Sequence, residues 1–447
     1  MRLTRPRLAA VAAVTLASLA LGPLPAAQAA GTDAPARAAA AVAVAETAPL
    51  DRAGLRAALD AFHEAGMYGA HTAVRDGHAR WRGATGYADV DTKQPMRADM
   101  EHRIGSITKT FTAVALLQQS ARGRLDLDAP VGRYLPELVP GERGRQVTVR
   151  MLLNHTSGIG DYVLPAFPGI VEDPGKALDA QRFRHIEPEE LARLGLAAPA
   201  TTVGKHVYSN TNYVLAGLVL EKVTGQDAEA YITRNVIRRA GLKHTYFPAS
   251  PRLTGPHPKM YESFYGYIEP ARDYSVYDMS WAGAAGAMVS TPSDLASFYR
   301  QLLGGRLLGP AELKQMKTTV PAYDAAPGEE VSMRYGLGLY TLKMPSGGWY
   351  WGHDGAVFGA GTWALSTEDG SRQTALAYNL MKYQRFEENG TPKPDPVTPA
   401  MVAYMDRALS GGAPEKAARK SAEAAKAPFA PGLVTEDRLN LRAATVR

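Results

Sequence analysis

Ser106-Ile107-Thr108-Lys109 is the stretch on which the reading of this chain turns. It is the single Ser-x-x-Lys in the sequence, and it opens a run to Gln119 in which Ile107, Phe111, Ala113, Val114, Leu116 and Leu117 place apolar groups almost all round a helix. Such a helix is expected to be buried. Ser106, just after Gly105, falls at its start, where first-turn N–H groups lack intrahelical acceptors and the helix dipole favours negative charge. An alkoxide nucleophile and a developing oxyanion suit that position. Lys109 lies one turn further along the same face. Burial disfavours its charged form, and a neutral amine can take the serine proton.

Two further motifs follow in order. The single Tyr-x-Asn, Tyr208-Ser209-Asn210, precedes a helical stretch from Tyr213 to Val223 that ends at Gly225. The single His-x-Gly, His353-Asp354-Gly355, sits between strand-like segments near the end. Tyr208 can relay a proton, and Asn210 can donate to and accept from a substrate amide. His353, expected at a strand end, can place its imidazole by Tyr208, while Gly355 lets a substrate approach the strand. The N–H of Ala356 is expected to join that of Ser106 as an oxyanion hole. Taken singly, each motif reads as structure: a capping Ser with an exposed Lys, a packed Tyr with a turn Asn, a structural His. Their order on helix start, loop and strand points instead to a nucleophile with its base system.

Other constellations fit less well. Gly-x-Ser-x-Gly and His-Glu-x-x-His are both missing, so neither a nucleophile elbow nor that zinc motif is written here. His155, in Leu152-Leu153-Asn154-His155-Thr156-Ser157-Gly158, is expected to hold a loop. With no cysteine, thiol catalysis and cysteine-ligated metal are excluded.

Outward from the motifs, Asp51 to Ala65 has helical spacing at Leu55, Leu59 and Phe62. His71 to Tyr87 reads as a hairpin turning at Asp76-Gly77. The middle is mostly helical, strands return near Gly283 to Ser290, and Thr291-Pro292 starts another helix. Tyr335 to Leu342, Trp349 to His353, Gly355 to Ser366 and Gln373 to Leu380 read as antiparallel strands, with a turn at Asp369-Gly370 and a closing helix from Thr398 to Leu409. The expected fold class is α+β in two lobes. An antiparallel sheet flanked by helices is built from both chain ends, with a mostly helical lobe, about 107–280, inserted. The catalytic domain is expected to cover 50–410.

Residues 1–29 read as a signal peptide: Arg2, Arg5 and Arg7, an apolar stretch from Leu8 to Leu21, and Ala27-Gln28-Ala29 for cleavage. Secretion is therefore expected, with no stable membrane span. An Ala-rich linker covers 30–49, and 411–447 form a basic tail. The formal charge of +6 is carried by those ends, the signal supplying +3 and the tail +3, which leaves a neutral body. A neutral body offers nucleic acid no electrostatic footprint.

The chain resembles the class C β-lactamase and DD-peptidase family, and most of all the secreted D-alanyl-D-alanine carboxypeptidases with His-x-Gly as third motif. The resemblance runs from about Leu55 to Leu409. Besides the three motifs it rests on Arg103-Ile104-Gly105, Leu125-Asp126-Leu127-Asp128, Ser280-Trp281-Ala282-Gly283 and Tyr335-Gly336-Leu337-Gly338-Leu339. It implies a β-lactamase/transpeptidase-like fold and a serine acyl-enzyme, without metal or cofactor. Ser106 would be the nucleophile, Lys109 and Tyr208 the base system, Asn210 and His353 substrate and proton-network residues, and Trp281 a wall of the cleft. Substrates would be peptides, amides or esters of D-amino acids, including cell-wall stem peptide, with β-lactams as inhibitors. Asp354 stands where such carboxypeptidases carry a carboxylate-holding Thr, and Tyr340 where they carry its partner Arg. Both are therefore candidate specificity residues, and the departure favours amides, esters or internal peptides over free carboxylates. A catalytically idle binder of cell-wall peptide or β-lactam is the reading from another class.

Overall fold

The computed structural model describes residues 50–325, 330–387, 389 and 391–411. The expected signal peptide, the linker and all but the first residue of the basic tail lie outside the described residues.

The sheet has nine strands, every neighbouring pair antiparallel. Its order is Gln94–Pro95, Ala79–Asp89, Gly69–Asp76, Arg372–Tyr378, Ala360–Ser366, Trp349–Val357, Tyr340–Lys343, Met333–Tyr335 and Val320–Pro321. An early hairpin thus pairs directly with a late strand, as expected of a sheet made from both chain ends. Side chains alternate between its faces. Trp363, Leu365 and Leu376 belong to one core, and Ala364 and Ala375 to the other.

The first core is closed by the two terminal helices. In Arg52–Glu64 the Asp51 carboxylate caps Gly54 N–H at 2.9 Å, and Leu55, Leu59 and Phe62 are buried. In Val397–Ser410 the buried face includes Met401, Tyr404 and Met405, and Gly411 ends the helix at φ +83°. Burying each such side chain contributes about 1.5–3 kcal/mol, so these helices are held by the sheet more than by propensity. On the other face lies Pro292–Leu303, capped by Thr291 on Asp294 N–H. The small Ala364 and Ala375 let it approach closely. Its Phe298 stacks on Phe111 with ring centroids 3.7 Å apart, which joins the sheet layer to the nucleophile helix Thr108–Ala121. That helix and Thr211–Thr224 are buried on nearly every side. The α+β architecture expected from sequence is the one observed.

Three expected strands differ. Tyr335 to Leu342 is interrupted, pairing as Met333–Tyr335 and Tyr340–Lys343. Between them Gly338, at φ +76°, presses on the nucleophile helix, and its carbonyl accepts from Thr110 Oγ1 at 2.6 Å. Gly283–Gly286 is a helical turn, and only Val289–Ser290 is strand. Trp349–Val357 is one continuous strand, so His353 lies inside it and not at an end. The chain reverses instead at Phe358-Gly359, where Gly359 supplies φ +79°.

Gly338 and Gly347 separate strain from crowding. A Cβ at Gly338 would fall 2.5 Å from Ala113 Cβ and 2.9 Å from Lys109 O, whereas one at Gly347, φ +93°, meets nothing within 4 Å. Gly347→Ala should cost about 1–2 kcal/mol through backbone strain alone. Gly338→Ala should cost about 3 kcal/mol or more, because overlap adds to strain. Urea denaturation of both variants checks this, and equal losses would remove the crowding argument.

Candidate active site

The nucleophile turn is set by backbone-to-backbone contact. Arg103 is fully buried, donates to Pro251 O at 2.8 Å and Ser275 O at 3.1 Å, and lies over the Tyr277 ring. Its own carbonyl accepts from Thr362 Oγ1 at 3.2 Å, which ties the approach to Ser106 to the sheet. Ser106 then sits in a single 3₁₀ turn, Gly105–Ile107, before the α-helix begins at Thr108. A Cβ on Gly105, φ +50°, would lie 2.6 Å from Ala356 N. A Cβ on Gly355 would lie 1.9 Å from Ile104 O and 2.9 Å from Ser106 N. Glycine at both positions is what brings the Ser106 backbone against the third-motif strand. Pairing with Tyr340–Lys343 stops at Gly352, so from His353 onward that edge of the strand runs past the nucleophile turn.

Lys109 is fully buried. Its Nζ lies 2.8 Å from Ser106 Oγ, 2.7 Å from Asn210 Oδ1 and 2.8 Å from the carbonyl of Ala285. It also faces the Tyr208 ring at 4.9 Å. The Ala285 and Asn210 oxygens can only accept. A neutral amine has two N–H groups for them and one lone pair for the Ser106 hydroxyl proton.

Asp161 organises the second motif. Its Oδ2 accepts from the Asn210 N–H at 2.6 Å and from Asn210 Nδ2 at 3.0 Å, which turns Asn210 Oδ1 toward Lys109. Asn210 was expected at the substrate, yet Oδ1 and one Nδ2–H are engaged within the protein, and its second Nδ2–H is the group left to meet a ligand. Burial raises the Asp161 carboxyl above its ordinary value. Tyr208 stacks on His155, ring centroids 4.1 Å apart, so His155 holds the loop as expected and also forms a wall of the site.

The third motif departs further from expectation. Gly355, expected to let a substrate approach, lies against the chain's own Ile104 and Ser106 backbone, and Ala356 lies against Gly105. His353 does not hold out its nitrogens to Tyr208, whose ring centroid is 6.4 Å away. Its Nε2 meets Tyr335 Oη at 2.7 Å and its Nδ1 meets the Asp354 carbonyl. Burial lowers its pKa to about 3, so it is neutral. Asp354 and Tyr340, expected to meet substrate, are buried, with the Tyr340 phenol beside the Asp354 carboxyl. They lie on adjacent strands of the sheet, and Asp354 is as little exposed as Ser106. Trp281 is 8% exposed and packs with Phe167 and Phe358 at 5.4 and 5.3 Å, lining a pocket with them. Among the described residues no group of three or more His, Asp or Glu is placed to hold a metal ion.

Sequence reading missed Asp161, Ala285 and Tyr335 as parts of this site. Ala285 contributes only a carbonyl, and no side-chain pattern marks that. Asp161 is a lone carboxylate after a glycine-rich turn, Gly158-Ile159-Gly160, and reads as any loop acid. Tyr335 belongs to a quoted motif, but its partners are distant in sequence.

Residues 55–391 match the family model described as Beta-lactamase. The chain is 36% identical over 208 residues to Esterase EstB of Burkholderia gladioli, covering 44% of this chain and 53% of the esterase. It is 26% identical over 330 residues to Penicillin-binding protein 4* of Bacillus subtilis (strain 168), 71% of this chain and 69% of that protein. The chain thus spans about half the length of the esterase it matches. Among solved structures, a D-stereospecific amidohydrolase from Streptomyces sp. is 39% identical, with TM-score 0.68, over 74% of this chain and 95% of that one. A D-amino acid amidase from Ochrobactrum anthropi SV3, complexed with L-phenylalanine amide, is 25% identical, with TM-score 0.63, over 84% and 98%. No helix among the described residues is long and apolar enough to cross a membrane. The matched span and the β-lactamase-like sheet together identify the chain as a member of the Beta-lactamase family.

Proposed function

We propose that this protein is an exported hydrolase that acylates Ser106 and acts on amides, esters or peptides of D-amino acids. The observation that carries the reading is Lys109 Nζ at 2.8 Å from Ser106 Oγ, with two acceptor-only partners at 2.7 and 2.8 Å. Ser106 Oγ attacks the carbonyl carbon as its proton passes to the Lys109 amine. The N–H groups of Ser106 and Ala356 receive the oxyanion. Tyr208 conveys the proton to the leaving nitrogen or oxygen, and water then resolves the acyl-enzyme by the reverse path. The D-amino-acid class draws support from the amidohydrolase and amidase structures, and the ester class from the esterase relative. Export draws support from the Arg2, Arg5 and Arg7 start, its apolar stretch and Ala27-Gln28-Ala29.

A D-alanyl-D-alanine carboxypeptidase of cell-wall peptides is the neighbouring reading. It needs a grip on a terminal carboxylate. The positions expected to provide it hold Tyr340 and Asp354, neither of them a cation, and Lys343 pairs with Glu330 at 2.5 Å. Asp354 supplies no positive charge for that carboxylate, and burial raises its own carboxyl toward the neutral form. Preference for amides and esters therefore rests on the lack of a grip at these residues.

A fluorescent penicillin or a nitrophenyl ester should label Ser106, and Ser106→Ala should abolish labelling and turnover. Label remaining on Ser157 or Ser209 in that variant, or binding without acylation by the intact protein, would overturn the assignment. Lys109→Ala and Tyr208→Phe should each slow acylation by about a hundredfold or more, the scale of positioned acid–base groups. Stopped-flow labelling reads this directly.

In a panel of D-peptides with free carboxylate, amide and ester ends, amides and esters should show the higher kcat/KM. Faster cleavage of free D-Ala-D-Ala ends would return the enzyme to the carboxypeptidases.

Burial raises the Asp354 carboxyl to about 6, from an ordinary 3.8. Folded protein therefore holds this proton where the unfolded chain has released it. The contribution to stability is complete below the unfolded value and is lost as pH rises through about 6, on the order of 3 kcal/mol. Asp354→Asn should erase that loss, so urea midpoints of wild type and variant should diverge between pH about 4 and about 7. Parallel midpoints would mean that Asp354 is solvated.

A further inference from the structure

Behind Tyr208 lies a chain of buried groups whose protons are fixed from both ends. At one end the Ser209 backbone N–H donates to His155 Nδ1 at 3.2 Å, joined by Asn212 Nδ2 at 3.1 Å. A backbone N–H can only donate, so His155 Nδ1 carries the lone pair and Nε2 the proton. That Nε2 lies 3.3 Å from Tyr335 Oη. At the other end His353 Nδ1 meets the carbonyl of Asp354, which can only accept, so Nδ1 carries the proton and Nε2 the lone pair. Tyr335 Oη, 2.7 Å from that Nε2, must then donate to it. Every position agrees: His155 Nε2–H donates to Tyr335 O, and Tyr335 O–H donates to His353 Nε2. His155, Tyr335 and His353 are all fully buried, so no water competes for these bonds.

The chain spans the site. Ser209 lies between Tyr208 and Asn210, and His353 lies two residues before Gly355 and three before Ala356. The groups that carry protons and the backbone that receives the oxyanion belong to segments far apart in sequence, and these three side chains connect them by hydrogen bonds. His155 holds φ +59°, a strained value for a side-chain-bearing residue, which is consistent with an orientation imposed by its partners.

We propose that Tyr335 is a positioning residue for the reaction: bridging His155 and His353, whose neutral tautomers their backbone partners fix, its hydroxyl holds the Tyr208–Asn210 segment in register with the Gly355–Ala356 strand. The catalytic part of this inference rests on the Ser106 acyl-enzyme reading; the tautomer part does not. An imidazole free to exchange tautomers would alternately offer and withdraw the proton that Tyr335 meets, and small displacements between proton donor and oxyanion hole are expensive in rate.

Nitrogen NMR of histidine-labelled protein near neutral pH, with resonances assigned by single-site replacement, reads the tautomers. His353 should be protonated on Nδ1 only and His155 on Nε2 only. A wild-type His353 protonated on Nε2, or charged, overturns the lock whatever the variants do. Tyr335→Phe should reduce kcat for a nitrophenyl ester by about tenfold or more, keep KM within about twofold, and leave His353 protonated on Nδ1 with its Nε2 resonance shifted by loss of the phenol donor. His155→Gln breaks the far end and should give the same split of kcat from KM, which decides the kinetic claim if Tyr335→Phe does not fold. A folded variant of either kind with unchanged kcat overturns the positioning role. Ser106 failing to label while both tautomers are as stated would reject the acyl-enzyme reading and leave the lock standing.

Discussion

The buried amine of Lys109 is the constraint around which this molecule is arranged. A primary amine fully removed from water must satisfy its hydrogen-bonding groups within the protein. Its partners come from three places: Ser106 one turn back, Asn210 from the second motif, and Ala285 from a helical turn in the second half of the chain. Each must lie within hydrogen-bond reach of one nitrogen, so the helical region and the nucleophile turn are held together at that atom. Asp161 extends the arrangement outward by orienting Asn210, and Gly338 does so from the sheet side by bonding to Thr110 beside Lys109.

Close backbone contact is the second requirement. Gly105 and Gly355 face each other's segments at distances that no Cβ permits. The contact sets the separation of the Ser106 and Ala356 peptide groups more firmly than any side-chain bond, because main chains on a helix start and a sheet strand have little freedom to move. The same strand carries His353, whose Nε2 meets Tyr335 Oη, and Asp354, buried beside Tyr340.

These two features explain the mixture of agreement and correction along the chain. Ser106, Lys109 and Tyr208 were found from sequence because their chemistry is local: a nucleophile and base one turn apart on an apolar helix, and a phenol in a short polar motif. The helices Arg52–Glu64 and Val397–Ser410 were found because their apolar spacing is regular and their caps are written at the ends. Tyr335 to Leu342 was read as one strand because period and composition continue through it. The interruption at Gly338 exists only because the nucleophile helix lies against it.

The sequence by itself determined that Ser106 and Lys109 stand one turn apart at the start of a buried helix, that strands at both chain ends make one sheet, and that three motifs follow in a fixed order. Those properties depend on neighbours within a few residues or on alternation along a strand. Tertiary structure alone decided which way Asp354 and His353 face, that an Ala285 carbonyl completes the lysine's environment, and that Asp161 and Tyr335 belong to the site. These depend on hydrogen-bond partners far away in sequence, and a one-dimensional pattern carries no record of which donor meets which acceptor once the chain is packed.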